Sequence, residues 1–188
     1  MDNPIALREW AVAVKALEEG RQVIVLRKGG ISEETKEFRL ESPDFYLFPS
    51  FEHQRPHLVK QEASEWVNLE QAEVVSASGQ VPITSYAEVV DDIEVSDSET
   101  LRRLEDLHIW TEDYAEERLK WKKTKPLHVL ILRVYKLETP QTIPMRESYG
   151  GCKSWLMIED VRSAPKKPVL DDLEFEQRAN EVRKRIQG

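Results

Sequence analysis

The amino-acid sequence predicts an α+β fold: a small, mostly antiparallel β-barrel or curled sheet with flanking helices and a C-terminal helix. The order of the segments carries this prediction, because strand-like segments mostly follow one another without the helices that parallel crossovers need. Helical patterns occur instead at the start of the chain, at residues 98–123 and at the end.

The chain opens with a predicted helix over residues 5–19. Its apolar side chains recur at the 3.6-residue spacing of one helix face, and Gly20 supplies a left-handed stop. Residues 23–26 are a β-branched run, which predicts a short buried strand ending at Arg27. Residues 38–40 and 45–48 are predicted as further strands.

The middle of the chain is predicted to hold two insertions. Residues 60–82 are interpreted as an irregular insertion, because a short amphipathic piece is followed by a Ser- and Gly-rich run. Residues 83–95 alternate in places and predict a long, bent strand. Residues 98–123 predict a helical insertion, in which Thr111 can cap the second helix.

Residues 127–137 show the clearest alternation and predict the strongest strand, and residues 155–161 predict another. We interpret residues 1–168 as one domain and residues 169–188 as a C-terminal helix. The apolar stripe of that helix must dock on the barrel or on a partner, because a lone helix of this length is marginal in water. Docking on the barrel is favoured, and self-association through the helix is the alternative.

Composition limits the classes of protein that the sequence can encode. The 188 residues are 40% apolar and 33% charged, which is typical of a globular chain. Aliphatic runs are only a few residues long, so no membrane partner is expected. One cysteine, Cys152, excludes an internal disulfide, and the absence of a secretory pattern predicts a cytoplasmic protein.

Charge is unevenly distributed along the chain. The net charge is −8, which argues against indiscriminate nucleic-acid binding. Residues 88–118 hold 3 basic and 12 acidic residues, whereas residues 119–168 hold 11 basic and 4 acidic ones. A basic face therefore requires that the acidic segment fold away from it. The alternative is two solvated faces of opposite sign.

The turn after the second segment is a candidate phosphate site. Arg27 and Lys28 end a predicted strand, and Gly29 and Gly30 offer unhindered backbone amides that can converge on an anion. The alternative is an ordinary turn with solvated charges.

A histidine-containing segment at residues 52–57 is a candidate wall of a base pocket. His53 is a weak candidate for a general base, and Gln54 is a polar neighbour that could hold it. Pro56 makes a helical pair of histidine ligands awkward, and no third ligand stands nearby. We therefore expect no metal ion and no cofactor.

The loop at residues 149–155 is the third candidate. Lys153 offers a charge for phosphate, Ser154 follows it, and Trp155 offers a flat face for stacking a base. Burial of the aromatic residues in the core is the alternative. Signatures of nucleases, Walker loops, nucleophile elbows and zinc proteases do not occur.

Several of these segments form an ordered set. They are residues 7–17, 25–31, 47–49, 52–54, His128 with residues 132–135, and residues 149–152 with 154–155. Together they resemble the uncharacterised bacterial family called domain of unknown function 1802, over most of residues 5–160. Some members of that family accompany restriction-type nuclease domains, so the resemblance implies nucleic-acid handling and a nuclease subunit as a partner.

A second resemblance is one of order and spacing. The chain is similar to PUA-like domains of the ASCH and EVE kind in its first helix ending at Gly20, its basic strand residue Arg27 and its acidic insertion with Trp110 and Tyr114. Such domains are compact barrels that hold RNA or a flipped base in a cleft. Gln22 and Val23 stand where some PUA-like amidohydrolases carry lysine and threonine, so that activity is not implied.

Three hypotheses follow. The first is a nucleic-acid-binding module that reads a modified or flipped base beside a separate nuclease. The second is a hydrolase acting on nucleotides or nucleic acid, with His53 as general base. The third is a protein-interaction subunit that uses the C-terminal stripe and the acidic helices.

Overall fold

Among the described residues, seven strands form one sheet. The computed structural model describes residues 4–28, 38–51, 54–67, 69–121, 125–151 and 153–188, with the backbone alone at 69–71. The strands are β1 (Ile5–Trp10), β2 (Ile24–Arg27), β3 (Asp44–Ser50), β4 (Gln80–Val95), β5 (Leu127–Pro144), β6 (Trp155–Met157) and β7 (Lys166–Pro168). Their order is β2-β5-β4-β3-β1-β6, with β7 also paired to β5.

Six α-helices surround this sheet in the described part of the chain. They are α1 (Ala11–Glu18), α2 (Gln61–Ser64), α3 (Leu69–Ser78), α4 (Ser98–Arg102), α5 (Glu112–Lys120) and α6 (Asp172–Gln187). Single 3₁₀ turns lie at Pro56–Leu58, Glu105–Leu107 and Glu147–Tyr149. None of the helices formed by described residues is both long enough and apolar enough to cross a membrane.

The sheet is mostly antiparallel, as predicted. Only β1 and β3 pair in parallel among the described strands, and the other pairings are antiparallel. The long pair β4–β5 shifts register between Ile83 and Ser85 and again between Val89 and Asp91. Such irregularities bend a strand and increase its twist, so the sheet curls.

The curl brings the two ends of the sheet together. Arg27, at the end of β2, donates from Nη1 to the backbone carbonyl of Arg8 on β1 at 2.9 Å and from Nη2 to Oγ of Ser154, just before β6, at 2.7 Å. Since β2 and β6 are the outer strands of the order, one guanidinium bridges the two edges. The predicted α+β fold with a curled sheet is confirmed.

Both faces of the sheet are covered by apolar side chains. Neighbouring residues on one strand point to opposite faces, and Ala6 and Leu7 accordingly belong to different clusters. Leu7 lies in the large core together with α1, β2 and the first half of β5. Ala6 lies in a smaller cluster with Tyr46 and Tyr149.

The predicted helix over residues 5–19 is wrong in its first part, where β1 replaces it. Ala6 and Leu7 are both fully buried, one on each face of the strand, and β1 pairs with β3 on one side and β6 on the other. Pairing on both sides therefore overrides a helical spacing that the apolar residues also fit. The helix begins only at Ala11, and Gly20 ends it with φ +70 as expected.

Other boundaries also move. Residues 38–40 form no strand, β6 is shorter than the predicted strand at 155–161, and β5 runs on to Pro144. Residues 60–82 are not irregular, because they contain α2, α3 and the start of β4. The helical insertion at 98–123 contains α4 and α5, and the Thr111 hydroxyl caps α5 by accepting from Tyr114 N at 3.2 Å.

The C-terminal helix α6 docks on the chain itself. Phe175, Ala179 and Val182 are buried in the large core. Arg133 on β5 stacks over the Phe175 ring at 4.9 Å and donates to the carbonyl of Leu170 at 2.8 Å. The stripe that could have faced a partner is therefore covered by the barrel.

Candidate functional site

A cavity of about 570 Å³ opens where three strands end. Because β1 and β3 run parallel, their carboxyl ends lie at the same edge of the sheet, and the curl brings the end of β2 beside them. Helix α3, the end of α5, the start of β4 and the segment between β5 and β6 also line it. The volume falls within the range of roughly 300–1,000 Å³ that is typical of small-ligand sites.

The lining of this cavity combines positive charge with aromatic rings. Its described residues include five cations and one carboxylate, Glu9. The cations are Arg8, Arg27, Lys28, Arg118 and Lys153, and the aromatic residues are Trp10, Phe48, Phe51, Trp121 and Tyr149. Trp10, Phe51 and Trp121 are half-buried residues of this lining.

Glu9 is buried and forms an ion pair with Arg27. Its side chain is 3% exposed, and Oε2 accepts from Arg27 Nη1 at 3.0 Å. The other oxygen, Oε1, accepts from the backbone N–H of Trp10 at 2.8 Å. This carboxylate therefore compensates the charge of Arg27.

Lys28 is a buried cation with few partners. It is 3% exposed, and its Nζ donates to the backbone carbonyl of Leu119 at 2.5 Å. Burial lowers the pKa of Lys28 below its usual value, because desolvation disfavours the charged amine. No carboxylate contacts this amine among the described residues.

Two further arginines are held against rings at the cavity. Arg8 stacks over Phe48 at 5.6 Å and donates to the carbonyl of Gly151. Arg118 stacks over Tyr114 at 5.2 Å. Tyr114 itself packs between Trp110 and Trp10, with ring centroids 5.3 and 5.2 Å away, and burial raises its pKa.

The structure brings together four of the residues that the sequence proposed for binding. Arg27, Lys28, Lys153 and Ser154 all line the cavity, although the two pairs are more than a hundred residues apart in sequence. The predicted residues Gly29, Gly30 and His53 lie outside the described residues, as does Cys152. Neither the phosphate turn beyond Lys28 nor the general-base hypothesis is therefore described by the structure.

Two predicted binding residues have other surroundings. Gln54 is buried, and its Oε1 accepts from the backbone N–H of Val12 at 2.8 Å, so it satisfies the first turn of α1. Trp155 stacks on Phe38 at 5.9 Å and donates from Nε1 to the carbonyl of Arg39 at 2.8 Å. Neither is part of the cavity lining.

Sequence reasoning missed the contribution of β1 and α3. The sequence predicts a helix for Arg8, Glu9 and Trp10, whereas they form the end of strand β1 and line the cavity. No short pattern within β1 indicates in the sequence that this segment pairs with β3. On α3, Ala72, Val75 and Ser76 line the cavity at helical spacing, which a reading of residues 60–82 as irregular could not show.

Among the described residues, no group of three or more His, Cys, Asp or Glu side chains is placed to hold a metal ion. His128 and Asp92 pair at 2.7 Å between Nδ1 and Oδ1, with neither residue in the cavity lining. The described lining of the cavity therefore offers positive charge and aromatic rings.

Fold and site together define an α+β protein with one curled sheet and a positively charged cavity at its strand ends. The chain belongs to the family described as Domain of unknown function (DUF1802), whose sequence profile matches residues 6–181. The family resemblance proposed from the sequence is confirmed. Among curated proteins, no significant match to this chain is found.

Solved structures similar to this chain include the ASCH protein from Zymomonas mobilis. It is 13% identical, the match covers 94% of this chain and 92% of that chain, and the TM-score is 0.48. Two single-residue mutants of that protein, 12% and 13% identical, also match with a TM-score of 0.48. Those matches cover 83% of this chain and 88% and 90% of theirs.

Proposed function

We propose that the protein is a nucleic-acid-binding module that holds one base, flipped or modified, in the cavity, with the neighbouring phosphates on its cations. The observation that carries this proposal is the charge of the cavity wall. In a chain of net charge −8, the described part of the lining holds five cations and one carboxylate, and Arg27 pairs with that carboxylate. Such a wall attracts phosphate locally, although the net charge of the whole chain is negative.

The rings of the lining suit a base. Aromatic side chains stack on bases of every kind, because each base has a π face. Trp10, Phe51 and Trp121 are the half-buried rings that a base could contact. A volume of about 570 Å³ accommodates one such group but not a duplex, so a base inside it must leave its stack.

The acidic segment does not oppose this use of the cavity. Of the acidic segment, residues 88–118, only Arg118 belongs to the described lining, and none of the twelve acidic residues of that segment does. The carboxylates of this segment therefore add no negative charge to the described lining. In this proposal the module works beside a separate nuclease of the restriction type, as the family resemblance implies.

The test uses two alanines of α3. Ala72 lines the cavity, whereas Ala77 on the same helix is exposed and does not. We expect single-stranded oligonucleotides to bind the wild-type protein with an affinity that falls steeply with salt. Ala72→Phe should fill the cavity and weaken binding by about tenfold or more, a loss comparable to removing one base–ring stack.

Ala77→Phe is the matched control and should change the affinity less than about twofold, as expected of an exposed position away from the site. Fluorescence anisotropy at several salt concentrations measures both effects. Absence of binding at low salt contradicts the proposal. Equal weakening by the two variants would show that nucleic acid binds elsewhere on the surface.

A further inference from the structure

Lys28 differs from the other cations of the cavity in its partners, and this difference specifies the ligand more closely. Arg27 is paired with Glu9, and Arg8 donates to Gly151. Lys153 is exposed to solvent. Arg118 is half-buried and stacks over Tyr114. Among the five cations of the described lining, Lys28 is the one that is buried, and no described carboxylate contacts it.

An ammonium group has three N–H donors. At Lys28 one of them reaches the carbonyl of Leu119, and no described residue accepts from the other two. A buried charge is costly unless it is paired and hydrogen-bonded. An anion with several acceptor oxygens would accept from these donors, and Lys28 lines the cavity through which such an anion can approach.

A phosphate reaching this amine must enter the cavity itself, because the side chain is 3% exposed. A phosphodiester inside a strand carries chain on both sides, and both sides would have to be buried with it. A phosphomonoester carries chain on one side only. It also offers three terminal oxygens and a charge of about −1.5 to −2.

Resting on the proposed function, we infer that Lys28 binds a phosphomonoester, so that the cavity receives the phosphorylated end of a strand or a free mononucleotide. The internal phosphates of a bound strand then contact the outer cation Lys153. Burial lowers the pKa of Lys28, and a phosphate dianion beside the amine opposes that shift by favouring its charged form.

The experiment compares three single-stranded oligonucleotides of the same sequence: one with a 5′-phosphate, one with a 3′-phosphate and one with hydroxyls at both ends. The fourth probe is free thymidine 5′-monophosphate. We expect one of the phosphorylated ends to bind the wild-type protein about tenfold more tightly than the hydroxyl form, as one charge-assisted contact supplies. This comparison needs no variant and so does not depend on a substituted protein folding.

Two variants then locate the preference. Lys28→Met should abolish it, and Lys153→Met should weaken all oligonucleotides while the preference persists. Equal binding of all three oligonucleotides by the wild-type protein overturns the inference and leaves the proposed function standing. A preference that survives Lys28→Met also overturns it. Binding of the mononucleotide without any oligonucleotide supports the phosphomonoester site and contradicts the nucleic-acid module.

Discussion

Arg27 contributes both to the cavity and to the stability of the sheet, and its position in the sequence indicates only the first of these roles. It lines the cavity, and it also joins the two edges of the sheet through the Arg8 carbonyl and the Ser154 hydroxyl. Its ion pair with Glu9 is largely buried, with side-chain exposures of 15% and 3%. Removing one partner of a buried pair leaves the other charge uncompensated, which costs more than the pair contributes.

We therefore predict that Arg27→Met lowers the free energy of unfolding by about 3 kcal/mol. The double variant Arg27→Met with Glu9→Gln should recover part of this loss, because no unpaired buried carboxylate remains. Urea denaturation of both variants measures the difference. If the double variant is no more stable than Arg27→Met, the cost lies in the opened sheet edges and not in the buried carboxylate.

His108 supplies a residue-scale test of the pH dependence of stability. The ring is buried, and Nδ1 accepts from the backbone N–H of Trp110 at 3.2 Å. Burial, and next the charge of Lys60, lower the pKa of His108 from 6.5 to about 3. In the unfolded chain His108 therefore binds a proton near pH 6.5, whereas in the folded protein it stays neutral until the pH falls to about 3.

The stabilisation that this neutral ring supports is full above pH 6.5 and is lost as the pH falls towards the folded pKa. Between about pH 6.5 and 5 we predict a loss of about 1.6 kcal/mol from this residue. Urea denaturation of the wild-type protein and of His108→Gln at both pH values tests it. The variant should lose less stability over this interval, and an identical loss would show that His108 titrates normally.

Single residues show why the sequence predicted only part of the site. Arg27 and Lys28 were recognised from charge beside glycine, and Lys153 and Ser154 from a loop with rings. Their meeting depends on β2 and β6 being the outer strands of a curled sheet, which no local pattern encodes. Trp155 carried a plausible stacking face, yet its ring packs on Phe38 and Phe45.

At the scale of elements, the sequence predicts the fold best where residues close together in the chain determine the structure. The alternation of β5 and the cap of α5 are local, and both were recognised in the sequence. The strand β1 depends on two partners that lie far along the chain, β3 and β6. Its apolar spacing also fits a helix, so periodicity alone could not distinguish the two structures.

The end of α1 shows how an element and a distant linker constrain one another. Gly20 has φ +70, and a Cβ there would lie 2.9 Å from Cδ2 of Leu170, in the linker before α6. Gly79, at the end of α3, has φ +65 and no described atom within 4 Å of a Cβ. The two glycines share the backbone requirement but differ in the close approach.

We predict that Gly79→Ala costs about 1 kcal/mol from the left-handed backbone alone. Gly20→Ala should cost roughly 1 kcal/mol more, because the side chain of Leu170 must also move. Thermal unfolding of both variants provides the comparison. Equal losses would show that the linker adapts without cost and does not constrain α1.

At the scale of the whole molecule, binding of an anion in the cavity depends on the separation of charge. The carboxylates of the acidic segment, residues 88–118, contribute nothing to the described lining, while cations from β1, β2, α5 and the segment before β6 converge on it. Apart from the adjacent Arg27 and Lys28, these cations come from different parts of the chain. The sequence indicated a basic excess in residues 119–168, but three of the five cations lie before it, and Arg118 lies at its border.

One other surface combines an indole with positive charge. Trp66 is flanked by Lys15, with Nζ 4.8 Å from the ring, and by Arg21, with Cζ 4.2 Å away. These residues do not line the cavity. Trp66 is therefore the place where a nucleic acid would be expected to contact rings if the cavity were not the binding site.

The most direct measurement is photochemical crosslinking of a single-stranded oligonucleotide that carries one 5-iodouracil, followed by mass spectrometric mapping of the modified residue. If a base occupies the cavity, the adducts fall on its half-buried aromatic residues, Trp10, Phe51 and Trp121, and disappear in Ala72→Phe. Adducts at Trp66 that persist in Ala72→Phe, with none on the cavity rings, would contradict the central claim.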